Sequence, residues 1–148
     1  MLYLRNNKKY IFWLLVFFSF AGFLSATYLT IEYYLGKAPE CSLFEGCDVV
    51  AKSKYSQVGP IPLALLGVGY FLSLLFLFLA FLDAKKEIFL KLAFVLSCVG
   101  VLVATVLIWL QFAVIGAFCV YCLVSDISSI IIFLLLLTQI KYKFKNTT

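Results

Sequence analysis

Four long apolar runs take up most of the chain and leave only short polar segments between them. We place these runs at about Tyr10–Tyr34, Pro62–Leu82, Ile88–Phe112 and Cys119–Ile140. A helix needs about 20 apolar residues to cross the hydrocarbon core of a bilayer, and each run is that long. With 65% apolar and 13% charged residues, the chain lacks the polar surface that a water-soluble fold needs. The sequence therefore predicts an all-α integral membrane protein, a four-helix transmembrane bundle in a single domain over residues 1–148.

The N-terminal end shares some features with a secretory signal peptide. Arg5, Lys8 and Lys9 precede the first apolar run, as basic residues precede the apolar region of a signal peptide. That region spans only about 7–15 residues in a signal peptide, whereas the run Tyr10–Tyr34 is much longer. We therefore interpret the run as a transmembrane helix that the protein keeps.

Residues 35–61 are the longest polar segment, and we expect them to form an external loop. The loop carries two cysteines, Cys41 and Cys47. Residues 47–52 are predicted to form a half-helix at the membrane interface, which would cap the mouth of the bundle. The stretch Gly59–Pro62 ends the loop, because Gly and Pro interrupt helices and Pro62 suits the first turn of the next span.

The distribution of basic residues predicts how the chain is oriented in the membrane. Four spans place both termini and the turn Asp83–Glu87 on one side, which carries nine of the 12 Lys and Arg residues. The loop 35–61 carries the other three. Cytoplasmic segments of membrane proteins are enriched in Lys and Arg. We expect a multi-pass protein of the plasma (inner) membrane with both termini in the cytoplasm. Two pairs of cysteines then lie at the external face, where disulfides persist.

Two residues separate Cys119 from Cys122 at the start of the fourth run. Residues i and i+3 share one face of a helix, so the two sulfur atoms are expected to meet. The N-terminal end of a helix stabilises a thiolate, which makes a Cys-x-x-Cys pair at this place typical of redox sites. We expect Cys119 near water and Cys122 one turn deeper, where it can face an acceptor dissolved in the membrane. A structural bridge or two buried thiols is the alternative.

The pair Cys41 and Cys47 also allows more than one interpretation. A flexible loop of this length can bring the two Cα atoms within the roughly 4.4–6.8 Å that a disulfide needs. The disulfide is then either a static staple or an exchangeable bond, and exchange is favoured because closing a short loop stabilises little. A zinc site built from all the external cysteines is a further alternative. The unmatched spacings, and the position of one pair at the start of a span, argue against it.

Three more residues are candidates for contact with a membrane-dissolved acceptor. Asp126 is an acid well inside a span, on the same helix face as Cys122, and would bond or protonate an oxygen of the acceptor; an interhelical hydrogen bond is the alternative. Trp109 and Phe112 would wall an apolar pocket or anchor the third span at the interface. Cys98, in the middle of that span, is interpreted as an apolar filler.

Together these features resemble the vitamin K epoxide reductase family, in its bacterial disulfide-forming branch. The resemblance covers about Phe12–Leu136 and rests on four spans, paired cysteines in the first external loop and a Cys-x-x-Cys that opens the last span. Ser53, six residues after Cys47, and the stretches Gly59–Pro62 and Leu66–Tyr70 also match. The DsbB family performs similar chemistry but carries its two pairs in the reverse order.

The resemblance implies a relay that makes disulfides outside the cytoplasm. Cys41 would exchange with a separate, DsbA-like protein of the thioredoxin fold, because the chain carries no fused thioredoxin-like domain. Cys47 would exchange with Cys119, and Cys122 would face a quinone, either ubiquinone or menaquinone. Ser53 would help to shape the loop over the quinone pocket. The resemblance thus implies a quinone-dependent oxidoreductase in which the four external cysteines are catalytic.

Other functions are kept as alternatives. Animal members of the family that reduce the epoxide use an Asn and a Tyr, and the corresponding positions here lie near Leu63 and at Asp126, which favours a quinone over an epoxide. A tetraspan structural or adhesion protein with a stapled first loop, or a small multidrug transporter, has no need of Cys119 and Cys122. The chain has no histidine, which excludes His-based metal sites and general bases. Its basic residues lie at span ends and do not indicate nucleic-acid binding.

Overall fold

The computed structural model describes residues 2–37 and 46–147. Its long helices are α1 (Leu2–Leu35), α3 (Leu63–Ala84), α4 (Glu87–Trp109) and α5 (Val120–Thr147), and a short helix, α2 (Cys47–Ala51), follows α1. Four segments are long and apolar enough to cross a membrane, namely Lys9–Leu35, Leu63–Ala84, Glu87–Ile115 and Val120–Lys141. The predicted all-α fold with four spans is therefore confirmed.

The four long helices form a bundle in which α3 and α5 each pack against both α1 and α4. The buried core lies between them and includes Leu15, Phe71, Leu74, Phe78 and Ile132. Large apolar side chains such as those of Phe17 and Leu102 are instead exposed on the outside of the bundle. An apolar outer surface is the arrangement that lipid favours, because lipid tails solvate such side chains as well as the core does.

Small residues let the helices approach at two places. A Cβ atom added to Gly22 on α1 would meet the ring of Phe71 on α3, and one added to Gly100 on α4 would meet Tyr70 and Ser129. Helix association in membranes depends on such close packing, because no hydrophobic driving force draws helices together in lipid. Gly22 and Gly100 thus bring α1, α4 and α5 against the aromatic side chains of α3.

The segment that precedes α3 contains a small hairpin that the sequence did not predict. A 3-10 turn at Lys54–Ser56 leads into β1 (Gln57–Val58), which pairs antiparallel with β2 (Ile61–Pro62). Gly59, at the turn between the strands, has φ 65°, a left-handed conformation that glycine adopts without strain. Pro62 ends β2 and is the N-cap of α3, so it lies immediately before the helix rather than in its first turn, where the sequence predicted it.

The connection between the third and fourth spans differs from its prediction. The third span extends past Phe112, because α4 continues into a π-helical turn over Leu110–Ile115. Gly116 ends this turn with φ 65°, and its N–H donates a hydrogen bond to the carbonyl of Gln111 at 2.9 Å. Cys119 therefore lies immediately before α5 rather than in its first turn.

Candidate active site

Cys119 caps the N-terminal end of α5. Its carbonyl accepts the first helical hydrogen bond, from the N–H of Leu123 at 2.9 Å. Its sulfur accepts a hydrogen bond from the N–H of Cys122 at 3.3 Å, in the position that a Ser or Asp side chain occupies at an ordinary N-cap. Its own N–H donates to Oε1 of Gln111 at 3.1 Å. Both the N–H and the carbonyl of Cys119 therefore have hydrogen-bond partners, although the N–H lies outside the hydrogen-bonding pattern of the helix.

The sulfur atoms of Cys119 and Cys122 meet, as the spacing predicts. Both cysteines are free thiols, and Sγ of Cys122 donates a hydrogen bond to Sγ of Cys119 at 2.6 Å. This hydrogen bond lowers the pKa of the Cys119 thiol below its ordinary value, although burial acts in the opposite direction. The main-chain N–H groups at the start of α5 contribute in the same sense. Cys119 is consequently the more readily ionised member of the pair and the better nucleophile at neutral pH.

Cys47 lies in the same buried cluster as the thiol pair. Cys47, Val50 and Cys119 form its centre, with exposed fractions of 1%, 8% and 0%, and Tyr121 and Cys122 pack against them. Cys47 is itself disulfide-bonded. The short helix α2 therefore presents a disulfide sulfur to the start of α5. Among the described residues, no group of three metal-ligating side chains gathers at one place.

A glycine makes this approach of α2 to α5 possible. A Cβ atom added to Gly46, immediately before α2, would lie 2.7 Å from both the N and the O of Phe118. These atoms belong to the main chain of the loop that carries Cys119, so they cannot move aside as a flexible side chain would. Any larger residue at position 46 would push Cys47 away from Cys119.

A cavity of about 670 Å³ lies beside the thiol pair. Cys122, Asp126 and Ser129, one helical turn apart from each other on α5, form one of its walls. Asp126 is 6% exposed, and its Oδ2 atom has no hydrogen-bond partner among the residues that the structure describes. The Oγ atom of Ser125, which also lines the cavity, is likewise buried without a hydrogen-bond partner among the described residues. An apolar cavity with such polar atoms in its wall is suited to an apolar ligand that carries hydrogen-bonding oxygens.

The cavity opens towards the bilayer between α3 and α4. Leu66, Val99 and Val103 line it and are at the same time exposed on the outside of the bundle. At its membrane-centre end, the hydroxyl groups of Tyr70 and Ser129 form a hydrogen bond of 2.9 Å. A lipid-soluble molecule can therefore reach Cys122 from the membrane without passing through water.

Some of the predicted acceptor-binding residues line the cavity and others do not. Ser53 does, and it shapes the loop above the cavity because both its N–H and its hydroxyl bond the carbonyl of Val50. Trp109 and Phe112 do not; they are 60% and 63% exposed on the outer surface. The reason is that Gln111, seven residues after the buried Ala104, continues the inward face of α4, whereas its neighbours lie off that face. The ring of Phe112 packs instead against Phe118, with 4.7 Å between the centroids.

The two remaining cysteines are placed as follows. Cys98 is a free, partly buried thiol within α4 and is not among the residues of the buried cluster. Cys41, the other cysteine of the external loop, lies outside the described residues. Its role remains a prediction.

Sequence reasoning missed two polar residues of the site, Gln111 and Tyr70. Gln111 is 2% exposed and lies between the cavity and Cys119. The sequence contains a signal for it, because an amide near the end of an otherwise apolar run is costly to bury and needs a partner. Tyr70 gave no such signal, since tyrosine is common in apolar runs near interfaces.

Comparison with known proteins gives one family match. The sequence model of the Vitamin K epoxide reductase family matches residues 13–137. The matched range includes α2, the thiol pair and the cavity-lining parts of α3, α4 and α5. A search of curated proteins returns no match to this chain.

Proposed function

Because this chain belongs to the vitamin K epoxide reductase family and is a membrane thiol oxidoreductase, we propose that it passes electrons from a reduced protein dithiol to a membrane quinone. The donor is a separate, DsbA-like protein of the thioredoxin fold outside the cytoplasm. Its reoxidation drives disulfide formation there. Residues 1–148 act as one membrane domain in this scheme.

One observation carries the proposal. A disulfide-bonded Cys47 and the free thiols of Cys119 and Cys122 share a buried cluster, and Cys122 also lines a cavity that opens to lipid. A static staple in the external loop would have no reason to be buried against a second, reduced pair. The arrangement is what an exchange of disulfides between two pairs requires, because thiolate attack needs the sulfur atoms in contact.

The first exchange takes place at the external loop. A thiolate of the reduced donor attacks Sγ of Cys41 in a Cys41–Cys47 disulfide, and the sulfur of Cys47 leaves as a thiolate. The second thiol of the donor then attacks the mixed disulfide. The donor leaves oxidised, and Cys41 and Cys47 have received two electrons and the accompanying protons.

The second exchange passes these electrons inwards. The Cys47 thiolate attacks Sγ of Cys119 in a Cys119–Cys122 disulfide, so that a Cys47–Cys119 bond forms and Cys122 leaves as a thiolate. Cys41 then attacks Cys47, which restores the loop disulfide and releases Cys119. The state observed here, with Cys47 oxidised and Cys119 and Cys122 reduced, is the one that this step produces.

The residues around the cavity fit a quinone. When bound, ubiquinone or menaquinone supplies a two-electron acceptor with ring oxygens that accept hydrogen bonds and an apolar tail. Cys122 faces the cavity, and the unpartnered Oδ2 of Asp126 lies in the same wall to hold or move a proton at an acceptor oxygen. Ser53 and its loop exclude water from above. The opening between α3 and α4 suits the tail.

The positions that differ from epoxide-reducing relatives support quinone as the substrate. The resemblance places an Asn of those relatives near Leu63 and a Tyr at Asp126, and both Leu63 and Asp126 line the cavity here. An aliphatic side chain at the first position offers no hydrogen bond to an epoxide oxygen. Reduction of an epoxide is therefore the less favoured reaction.

The experiment is an anaerobic assay of quinone reduction by the purified protein with a reduced thioredoxin-fold donor. Cys122→Ser is expected to abolish the loss of quinone absorbance, because Cys122 is the cysteine that lines the cavity among the described residues. Cys98→Ser is the matched control and is expected to retain activity, since Cys98 lies apart from the cluster. Full activity of Cys122→Ser would refute the proposal.

A further inference from the structure

We propose that Gln111 is a positioning residue for disulfide exchange at Cys119. The inference deepens the proposed function, since it concerns the step between Cys47 and Cys119. Oε1 of Gln111 accepts the N–H of Cys119 at 3.1 Å, and the side chain is almost fully buried. The hydrogen bond joins Gln111 to the main chain of Cys119, so Gln111 acts by positioning that residue.

Gln111 makes hydrogen bonds to both ends of the loop that carries Cys119. Its main-chain carbonyl accepts the N–H of Gly116 at 2.9 Å, and its side-chain amide oxygen accepts the N–H of Cys119. The loop between these two residues contains no helical hydrogen bonds of its own. The two hydrogen bonds of Gln111 therefore help to fix the conformation of this loop.

The hydrogen bond from Cys119 to Gln111 supplies a partner for an N–H group at the start of α5. The N–H groups at a helix N-terminus have no partner within the helix, and Cys119 is 0% exposed, so water cannot serve there. An unpaired buried N–H is costly, and the loop would rearrange to avoid it. Rearrangement at Cys119 would rotate its sulfur away from the N–H of Cys122 and out of the cluster with Cys47.

The inward face of α4 brings Gln111 to this N–H. Gln111 lies seven residues after the buried Ala104, so it stays on the side of the helix that faces the bundle, while its neighbour Phe112 is exposed. The π-helical turn Leu110–Ile115 then ends the helix, and the N–H of Gly116 bonds the carbonyl of Gln111. The amide group therefore lies between Cys119 and the cavity, which it also lines.

The positioning role of Gln111 depends on a particular property of its side chain. An acceptor oxygen at the reach of glutamine is needed, and neither the length nor the amide alone suffices. Gln111→Glu keeps an oxygen at the same reach, Gln111→Asn keeps the amide but shortens the side chain, and Gln111→Met keeps the length but removes the acceptor. A side chain that merely filled space would be replaced best by methionine.

The test uses the full-length protein in a Cys41→Ala background, where the Cys47–Cys119 bond cannot be resolved by Cys41. The bridge is quantified by peptide mass spectrometry after acid quenching. We expect Gln111→Met and Gln111→Asn to slow bridge formation roughly tenfold, as for the loss of one buried hydrogen bond, and Gln111→Glu to keep at least half of the rate. Gln139→Met, at the other end of α5, is the matched control and is expected to leave the rate unchanged.

Thermal unfolding and quinone titration separate positioning from folding. In the otherwise unsubstituted protein, Gln111→Glu and Gln111→Met are expected to unfold at similar temperatures and to share one KM for quinone, while kcat falls only for Gln111→Met. Equal bridge formation in the Met and parent proteins would overturn the inference. So would a loss in the Glu variant as large as in the Met variant. If no bridge forms even with Gln111 intact, the relay itself is wrong, and the two failures are thereby distinguished.

Discussion

At the scale of single residues, the chain buries polar side-chain atoms inside a transmembrane helix, where their burial costs free energy. Asp126 and Ser125 each have a buried oxygen without a hydrogen-bond partner among the described residues, within a span that is otherwise apolar. Burying an unpaired polar group costs about 1–3 kcal/mol by mutational measures. A ligand that satisfies these atoms would offset that cost when it binds in the cavity.

The role of Asp126 is tested by Asp126→Asn, which preserves the shape and removes the ionisable group. We expect kcat/KM for quinone to fall at least tenfold, because proton transfer by a positioned side chain contributes about 10²–10⁴-fold. Disulfide exchange between Cys47 and Cys119 should continue at its normal rate, since Asp126 lies beyond Cys122. The measurement is quinone absorbance against concentration. An unaltered kcat and KM would return Asp126 to a packing role.

The ionisation of the Cys119 thiol leads to a prediction about how its reactivity depends on pH. The hydrogen bond from Cys122 lowers its pKa, so its thiolate persists as the pH falls through the ordinary range of a cysteine. In the reduced protein, the rate of alkylation at Cys119 should therefore reach half its maximum at a pH below the ordinary pKa of a cysteine thiol. Cys122→Ala removes the donor and should move this midpoint upwards. Peptide mass spectrometry reads the rate at each pH, and an identical midpoint in both proteins would contradict the assignment.

At the scale of elements, the site depends on the contact between α2 and the loop before α5. Neither element is regular enough to place itself, since α2 has five residues and the loop has no helical bonds. An isolated helix of that length is not stable in water. Burial of Cys47 and Val50 against Cys119 stabilises the contact.

Gly46→Ala tests this contact. The added methyl group would lie 2.7 Å from the main chain of Phe118, so we expect α2 to shift and quinone reduction to fall by tenfold or more. Gly69→Ala is the matched control, because nothing lies within 4 Å of its Cβ position on α3. The readouts are turnover and the yield of the Cys47–Cys119 bridge in Cys41→Ala. Equal activity in the two alanine variants would show that the close approach is dispensable.

At the scale of the whole molecule, the bundle separates two environments for sulfur. Cys47 belongs to the polar segment before α3, whereas Cys122 lines a cavity that opens between transmembrane helices. Cys119 lies between them. A disulfide can thus be exchanged on one side of Cys119 while a lipid-soluble acceptor is kept on the other.

The orientation of the bundle is tested by cysteine labelling. In a variant without native cysteines, Lys54→Cys should react with a membrane-impermeant maleimide in intact cells, and Asp83→Cys only after permeabilisation. The physical reason is the excess of Lys and Arg at both termini and at the Asp83–Glu87 turn. Both positions are exposed in the structure, so access within the protein is not limiting. Labelling of Asp83→Cys in intact cells would place the thiol pairs on the cytoplasmic side.

The predicted parts of the site are those that follow from spacing along one helix. Cys119, Cys122 and Asp126 recur at intervals of three and four residues, so their shared face follows from helical geometry. Trp109 and Phe112 were predicted to wall the pocket or to anchor the third span, and the structure places both on the outer surface. Gln111 faces inwards because it lies seven residues after the buried Ala104. Hydropathy alone does not reveal which side of an apolar run faces the bundle, because lipid and core are both apolar.

The four spans, the family and the contact between Cys119 and Cys122 follow from the sequence, because they depend on hydropathy, motif and local helix geometry. The approach of α2, which brings Cys47 to Cys119, and the cavity open to lipid beside Cys122 are known only from the folded chain. Both arise from contacts between segments far apart in the chain. Such contacts depend on how closely backbones can approach, as at Gly46 and Phe118, which no local pattern of residues records.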